Sequence, residues 1–279
     1  MLPTGVRKAE AILHIPLTTY VLMTFGSAWF VWLPLLAAEG TDLVLPVPPA
    51  VLIVLGSFAP TLTALYLTWR YVGRAELRRL LGRALVWRVS PTWYVLVIAG
   101  PALVMLLALG GHLLLGGTAP NFIAYGARWF LVAVNFVFVL LIGGPLGEEF
   151  GWRGFVLPAL EARFHPPWDS LILGVIWAVW HLPLFFISSA AQHNFPFMLY
   201  VLSAMPLSIL ITWVYHGSGN SLLLVMLFHA AINTWYGPLR IGPEATGSTR
   251  PLALTVVLTW AAALLVVRRS RKNSHPHRP

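Results

Sequence analysis

Cysteine is absent from the 279-residue sequence, and acidic side chains are scarce, with nine Asp and Glu in all. Without cysteine the chain can form no disulfide, no thiolate metal site and no cysteine nucleophile. Charged residues make up only 10% of the sequence, whereas soluble globular proteins carry roughly 25%. The chain therefore has too little polar surface for a soluble fold, and its candidates for chemistry are reduced to His, Glu, Asp, Ser and Asn.

Apolar residues are abundant instead: 58% of the chain is hydrophobic. The apolar runs repeatedly reach the roughly 20 residues that cross a bilayer as a helix. This pattern predicts an all-α, polytopic membrane helix bundle with about eight transmembrane helices. The first run is longer than the apolar part of a signal peptide, so we expect it to be retained. The runs cover approximately residues 12–37, 48–69, 92–116, 129–147, 169–187, 196–215, 220–236 and 251–267.

The basic residues give the chain a net charge of +9, and their distribution predicts its orientation. With the spans above, fifteen of the 18 Lys and Arg fall on one side, and only Arg128, Arg240 and Arg250 fall on the other. This bias predicts that both termini are cytoplasmic. The Arg-, Pro- and Trp-rich, cysteine-free composition indicates that the membrane is a prokaryotic plasma membrane. Because the charges follow the loops, they indicate topology and no nucleic-acid partner. We expect one integral-membrane helical domain over residues 1–267 and a basic, disordered cytoplasmic tail over 268–279.

The loop from Arg70 to Arg88 has a helical pattern of its own. Arg74, Arg78 and Arg79 recur at helical spacing, and leucines occupy another face. Such a segment is typical of an amphipathic helix that lies on anionic lipid headgroups. The alternative is an ordinary loop helix whose arginines only determine topology.

A cluster of ionisable residues follows directly after the fourth apolar run, in the sequence Gly147 to Arg153. Carboxylates at membrane depth are unfavourable and often functional. Glu148 and Glu149 are adjacent, so on a helix they point in different directions and cannot share one role. Glu149 and Arg153 are four residues apart, which places them on one face where they can pair. Glu148 is then free for chemistry, for example as a general base acting on water.

Two further groups of polar residues lie in apolar runs later in the sequence. His181 follows Trp177 by four residues, and an imidazole there could complete water activation or bind a metal. His229 and Asn233 are also four apart and could donate hydrogen bonds to a developing oxyanion. The alternatives are a histidine that serves only packing and a His/Asn pair that holds helices together.

In type and order these residues resemble the motifs of the CPBP family of intramembrane endopeptidases. That family includes the type II CAAX prenyl endopeptidases and bacteriocin-processing or immunity proteins. EExxxR is present from Glu148 to Arg153, the usual FxxxH from Trp177 to His181, and HxxxN from His229 to Asn233. The resemblance covers approximately residues 129–236. Its one departure is Trp177 where the family often has Phe, an exchange that we expect to keep the packing role.

The resemblance implies a protease that hydrolyses a peptide bond of a membrane-associated peptide or protein in an enclosed catalytic cavity. In the family's mechanism Glu148 and His181 would activate the attacking water. His229 and Asn233 would stabilise the tetrahedral oxyanion. The residues that would support the site structurally are Glu149, Arg153 and Trp177.

Cofactor use and function both have alternatives at this stage. A glutamic, metal-independent reaction is favoured, so no cofactor is expected. Zinc held by Glu148, His181 and His229, in a metalloprotease, is the alternative. A proton-coupled transporter could use the same Glu and His residues as a relay. A non-catalytic immunity or scaffold protein could bind a peptide in the same pocket.

Overall fold

Helices and short turns make up residues 15–120 and 130–274, the two ranges that the computed structural model describes, and neither range contains a strand. Helices are expected here because a bilayer offers no water to satisfy the backbone. In chain order the α-helices are α1 (Leu17–Ala38), α2 (Pro49–Ser57), α3 (Ala59–Leu67), α4 (Arg74–Gly82), α5 (Pro91–Leu114), α6 (Phe130–Ile142), α7 (Pro145–Gly151), α8 (Leu157–Glu161), α9 (Trp168–Trp180), α10 (Phe197–Gly217), α11 (Leu222–Leu239), α12 (Pro243–Thr246) and α13 (Arg250–Ser274). π-Helical turns lie at Thr68–Val72 and Trp152–Val156, and 3-10 turns at Arg83–Leu85 and Leu182–Phe186.

Six segments of the described chain are long and apolar enough to cross a membrane, which indicates an integral membrane protein. They are Leu17–Ala38, Pro49–Val72, Pro91–Leu114, Phe197–Gly217, Leu222–Thr246 and Arg250–Arg271. A seventh span exists if α6 is counted together with the bent helix Pro145–Glu161. The remaining predicted run contains α9, which is apolar but has only 13 residues. The all-α membrane bundle is therefore confirmed, and the predicted count of about eight spans is approximate.

A sharp break separates α6 from α7 and turns the chain into the bundle. The two helical segments differ in direction by 41°. Gly144 at the break has φ 114°, a conformation that L side chains rarely adopt. Pro145 then begins α7, where its missing N–H has no helical partner to lose. As a result, both glutamates of the motif are buried, although they follow an apolar helix whose large side chains are mostly exposed.

Close backbone approach fixes α7 against α3. A Cβ at Gly151 would collide with the Tyr20 hydroxyl and lie 2.6 Å from the Pro60 carbonyl oxygen. The Tyr20 hydroxyl donates to that same oxygen at 3.0 Å, so α1 is joined to the contact. On the other sides α9 packs against α10, and α11 packs against α5, α6 and α7. The motif-bearing helices α7, α9 and α11 thus belong to one packed unit.

Two details of the sequence-based description change at this level. Residues 268–274, predicted as part of a disordered tail, continue α13 as helix, while 275–279 and the first 14 residues lie outside the described ranges. The predicted helix over Arg70–Arg88 is divided into the end of the first π-helical turn, the nine-residue α4 and a 3-10 turn. Two surface cavities of about 700 and 360 Å³ occur elsewhere, and neither is lined by a predicted site residue.

Candidate active site

Glu148 lies in the first turn of α7 with 3% of its surface exposed. Its Oε2 accepts hydrogen bonds from two indole N–H groups, that of Trp177 at 2.6 Å and that of Trp152 at 3.2 Å. Its Oε1 has no hydrogen-bond partner among the described residues and faces Gly144, where a Cβ would come within 2.5 Å of it. The carboxylate is therefore oriented through one oxygen, while the other is available to a small molecule such as water.

Glu149 has entirely different partners. Both of its oxygens accept from the Arg153 Nη1, at 3.1 and 3.0 Å, and Oε1 also accepts from the His229 Nδ1 at 2.7 Å. The Glu149 and Arg153 side chains are fully buried. Charges at such depth are tolerated only when they are paired and hydrogen-bonded. The two glutamates share no partner, and Glu149 connects α7 to α11 in addition to binding Arg153.

Trp177 of α9 contacts four buried members of the group: Glu148, Arg153, His181 and His229. Besides donating to Glu148, its ring lies under the Arg153 guanidinium at 5.2 Å. Its ring centroid is 5.9 Å from that of His181 and 5.2 Å from that of His229, both in edge-on geometry. Trp177 therefore does more than fill space, because a phenylalanine in its place would have no N–H to offer Glu148.

His181 directly follows the last residue of α9 and is 5% exposed. Its Nδ1 lies 2.9 Å from the Trp177 carbonyl oxygen. Since a carbonyl can only accept, Nδ1 carries the proton, and in the neutral ring Nε2 keeps its lone pair. Nε2 has no hydrogen-bond partner among the described residues. Contacts with the rings of Trp180 and Tyr200 hold the imidazole in place.

His229 and Asn233 lie on α11 one turn apart but in different surroundings. His229 is 2% exposed. Its Nδ1 donates to Glu149, so its Nε2 can donate to an oxyanion only when the ring carries a second proton. Asn233 is exposed, and its Nδ2 donates to the Gly143 carbonyl oxygen at 3.4 Å. Asn233 is therefore placed at the break between α6 and α7 and makes no described hydrogen bond to the buried group.

The side chains with zinc-ligand chemistry do not form a ready site. In residues 15–120 and 130–274 no three His, Asp or Glu side chains lie close enough together to hold a metal ion. One nitrogen of His229 is bound to Glu149, and one oxygen of Glu148 is bound to two indoles. The arrangement suits proton transfer at Glu148 and His181, because each has one acid–base atom that no described residue binds.

Sequence reasoning missed two contributors to this group. Trp152 occupies an unassigned position inside EExxxR, yet its N–H reaches Glu148 four residues earlier, a spacing that helical geometry could have indicated. Ser208 of α10 accepts from the Arg153 Nη2 at 3.4 Å and is fully buried. No signal near Ser208 in the sequence points to it, because the contact depends on how α10 packs.

Replacing Trp177 with Phe tests the indole hydrogen bond. The ring position stays filled, but Glu148 loses its shorter donor, a bond to a charged group worth about 1.5–3 kcal/mol. We expect hydrolysis by the purified variant to fall about tenfold or more, and the temperature of unfolding to fall by several degrees, because the same bond contributes to stability. Trp235→Phe is the matched control, because the Trp235 N–H donates to the Ile98 carbonyl outside the site. Equal activity of Trp177→Phe and Trp235→Phe would show that the indole N–H has no role in turnover.

Comparison with known proteins finds similarity over the part of the chain that contains these residues. Residues 128–235 match the family described as "Type II CAAX prenyl endopeptidase Rce1-like". The chain is also 29% identical over 169 residues to "CAAX prenyl protease 2" of Methanococcus maripaludis. That match covers 58% of this chain and spans 61% of the relative's length. All three motifs lie within the matched range, and over this range the chain is similar to the Rce1-like family of type II CAAX prenyl endopeptidases.

Proposed function

We propose that this protein is an intramembrane endopeptidase that hydrolyses a peptide bond of a membrane-associated substrate. The observation that carries the proposal is the setting of Glu148. The side chain is buried, two indole N–H groups bind its Oε2, and its Oε1 lies beside Gly144 with no hydrogen-bond partner among the described residues. A carboxylate with that geometry can hold and deprotonate a water molecule. The match to the family model supports the assignment, since the matched range includes Glu148.

In the proposed reaction Glu148 takes one proton from the attacking water as the water oxygen bonds to the carbonyl carbon, and the His181 Nε2 accepts a hydrogen bond from that water and helps to activate it. The carbonyl oxygen becomes an oxyanion, to which a protonated His229 and the Asn233 amide donate. Collapse of this intermediate breaks the C–N bond, and the proton passes to the leaving amine. Glu149 and Arg153 hold His229 and Trp177 in position. In this proposal the reaction uses protein groups and water, and no metal ion takes part.

Water and substrate need a route to a carboxylate that is 3% exposed. The break between α6 and α7 supports one: Gly143 and Asn233 are exposed there, and the next residue, Gly144, lies against Glu148. A substrate carbonyl entering at this point would replace the Asn233–Gly143 hydrogen bond, which is long at 3.4 Å. Asn233 would thereby move from a helix contact to the oxyanion.

A prenylated peptide is the first substrate to test, because the relative from Methanococcus maripaludis is named a CAAX prenyl protease. Purified protein in liposomes is incubated with a farnesylated CAAX peptide or its unprenylated counterpart, and products are identified by mass spectrometry. We expect cleavage of the farnesylated peptide, and we expect it to persist in protein stripped of metal by a chelator. Loss of cleavage on chelation that zinc restores would overturn the metal-independent reaction while retaining the protease.

A parallel experiment does not assume that the substrate is prenylated. Membranes containing wild-type protein or Glu148→Ala are compared for new peptide termini by mass spectrometry. Wild-type-specific termini with no cleavage of the farnesylated peptide would retain the endopeptidase and exclude that substrate. Absence of both signals from correctly folded wild-type protein would refute the proposed function.

A further inference from the structure

The connection between α3 and α5 lies at one face of the membrane. It joins the spans Pro49–Val72 and Pro91–Leu114, so both of its ends leave the bilayer at the same face. Between these ends the chain forms α4 and a 3-10 turn. The side chains of this connection are consequently near the depth of the lipid headgroups.

One face of the connection packs against the helix bundle. Glu76, Leu80 and Arg83 recur at intervals of four and three, and Glu76 and Leu80 are only 4% and 2% exposed. The Arg83 Nη1 donates to the Gly154 carbonyl at 3.3 Å and to the Tyr215 hydroxyl at 2.9 Å. These contacts give α4 a fixed orientation on the segment that follows the EExxxR motif.

The opposite face points away from the protein. Arg74, Arg78, Leu81 and Leu85 recur at intervals of four, three and four, and all of them are exposed. Neither Arg74 nor Arg78 has an ion-pair partner in the described part of the chain. This exposed face has arginines at its N-terminal end and leucines at its C-terminal end. Such a face is suited to the membrane interface, where charged headgroups meet acyl chains.

Aromatic residues flank this face at both ends. The Arg70 guanidinium lies 5.7 Å from the Tyr71 ring centroid, and that of Arg88 lies 5.1 Å from the Trp87 ring. Trp69, Tyr71 and Trp87 are 49%, 63% and 58% exposed. Tyr and Trp are enriched at the membrane–water interface because one part of each ring is apolar and another polar.

We propose that the exposed arginines Arg70, Arg74, Arg78 and Arg88, hereafter the basic face, bind the headgroups of anionic phospholipids. Charge complementarity carries the proposal. Glu76 is the one acidic residue in the sequence from 69 to 90, and Arg79 pairs with it at 2.6 Å. The basic face is thus left with uncompensated positive charge at headgroup depth. The lipid site is independent of catalysis and holds whether or not the protein is a protease.

Lipid selectivity of the purified full-length protein tests the proposal. Native mass spectrometry counts phosphatidylglycerol and phosphatidylcholine bound from an equimolar mixture. We expect the wild type to prefer phosphatidylglycerol and Arg70→Gln/Arg74→Gln/Arg78→Gln to reduce that preference at least about fivefold, since each arginine near a surface contributes about 1 kcal/mol. The Lys triple variant at the same positions keeps the charge and should retain most of the preference.

The matched control removes three exposed arginines elsewhere, Arg163→Gln/Arg268→Gln/Arg269→Gln. An equal loss of selectivity in both Gln triples would show that total charge alone matters and would overturn the assigned site. Unchanged selectivity in a folded basic-face triple would overturn it as well. Binding of an oligonucleotide at about 0.15 M salt that the same triple abolishes, without lipid preference, would assign the basic face to nucleic acid instead.

Discussion

Glu148→Gln is expected to lower peptide hydrolysis by at least about 100-fold, the lower end of the usual contribution of general acid–base catalysis. Glutamine has nearly the same volume, and its amide oxygen can still accept from the Trp152 and Trp177 indoles. What it cannot do is take a proton from water. The loss should therefore appear in kcat, while the thermal unfolding of the purified protein changes little.

Glu161→Gln supplies a matched control on the same bent helix. Glu161 is partly exposed and pairs with His216 at 2.6 Å, without contact to the buried group. The same chemical change at this position should leave hydrolysis essentially intact. A folded Glu148→Gln protein that keeps more than about a tenth of wild-type turnover would show that Glu148 is no general base.

Hydropathy predicted the membrane bundle well because each apolar run carries its own signal for crossing a bilayer. It could not predict the 41° break before Pro145, since the break depends on a positive φ at Gly144 and on packing of α7 against α3. The fourth predicted run, 129–147, therefore crosses the point where the chain changes direction. The glutamates enter the bundle because of that turn.

Helical spacing likewise predicted contacts within one helix, but it predicted no specific contact between helices. The pairing of Glu149 with Arg153 follows from a separation of four residues. The bond from His229 to Glu149 joins residues 80 positions apart. The Trp177 hydrogen bond to Glu148 joins residues 29 apart. Such contacts depend on which sides of two helices pack together. The periodicity of a single helix carries no information about this packing.

Arg153→Met is expected to destabilise the protein by about 3–5 kcal/mol, the effect of removing one partner of a buried ion pair. The Glu149 carboxylate is fully buried and would keep His229 as its one described partner. Methionine follows the path of the arginine stem but brings no charge. The measurement is the denaturant-induced unfolding of purified protein in detergent, with the exposed Arg163→Met as control.

The double variant Glu149→Gln/Arg153→Met separates charge from packing. Removing both charges should restore most of the lost stability, because replacing a whole buried pair is often neutral. Gln at 149 can still accept from the His229 Nδ1, so His229 keeps an anchor. If the double variant is as unstable as Arg153→Met alone, the deficit comes from lost contacts of the guanidinium with the Trp177 ring and Ser208. Recovery would show that Arg153 is required because Glu149 is charged. The EExxxR sequence of this chain would then maintain an ion pair so that the Glu149 carboxylate can hold His229 in the buried group.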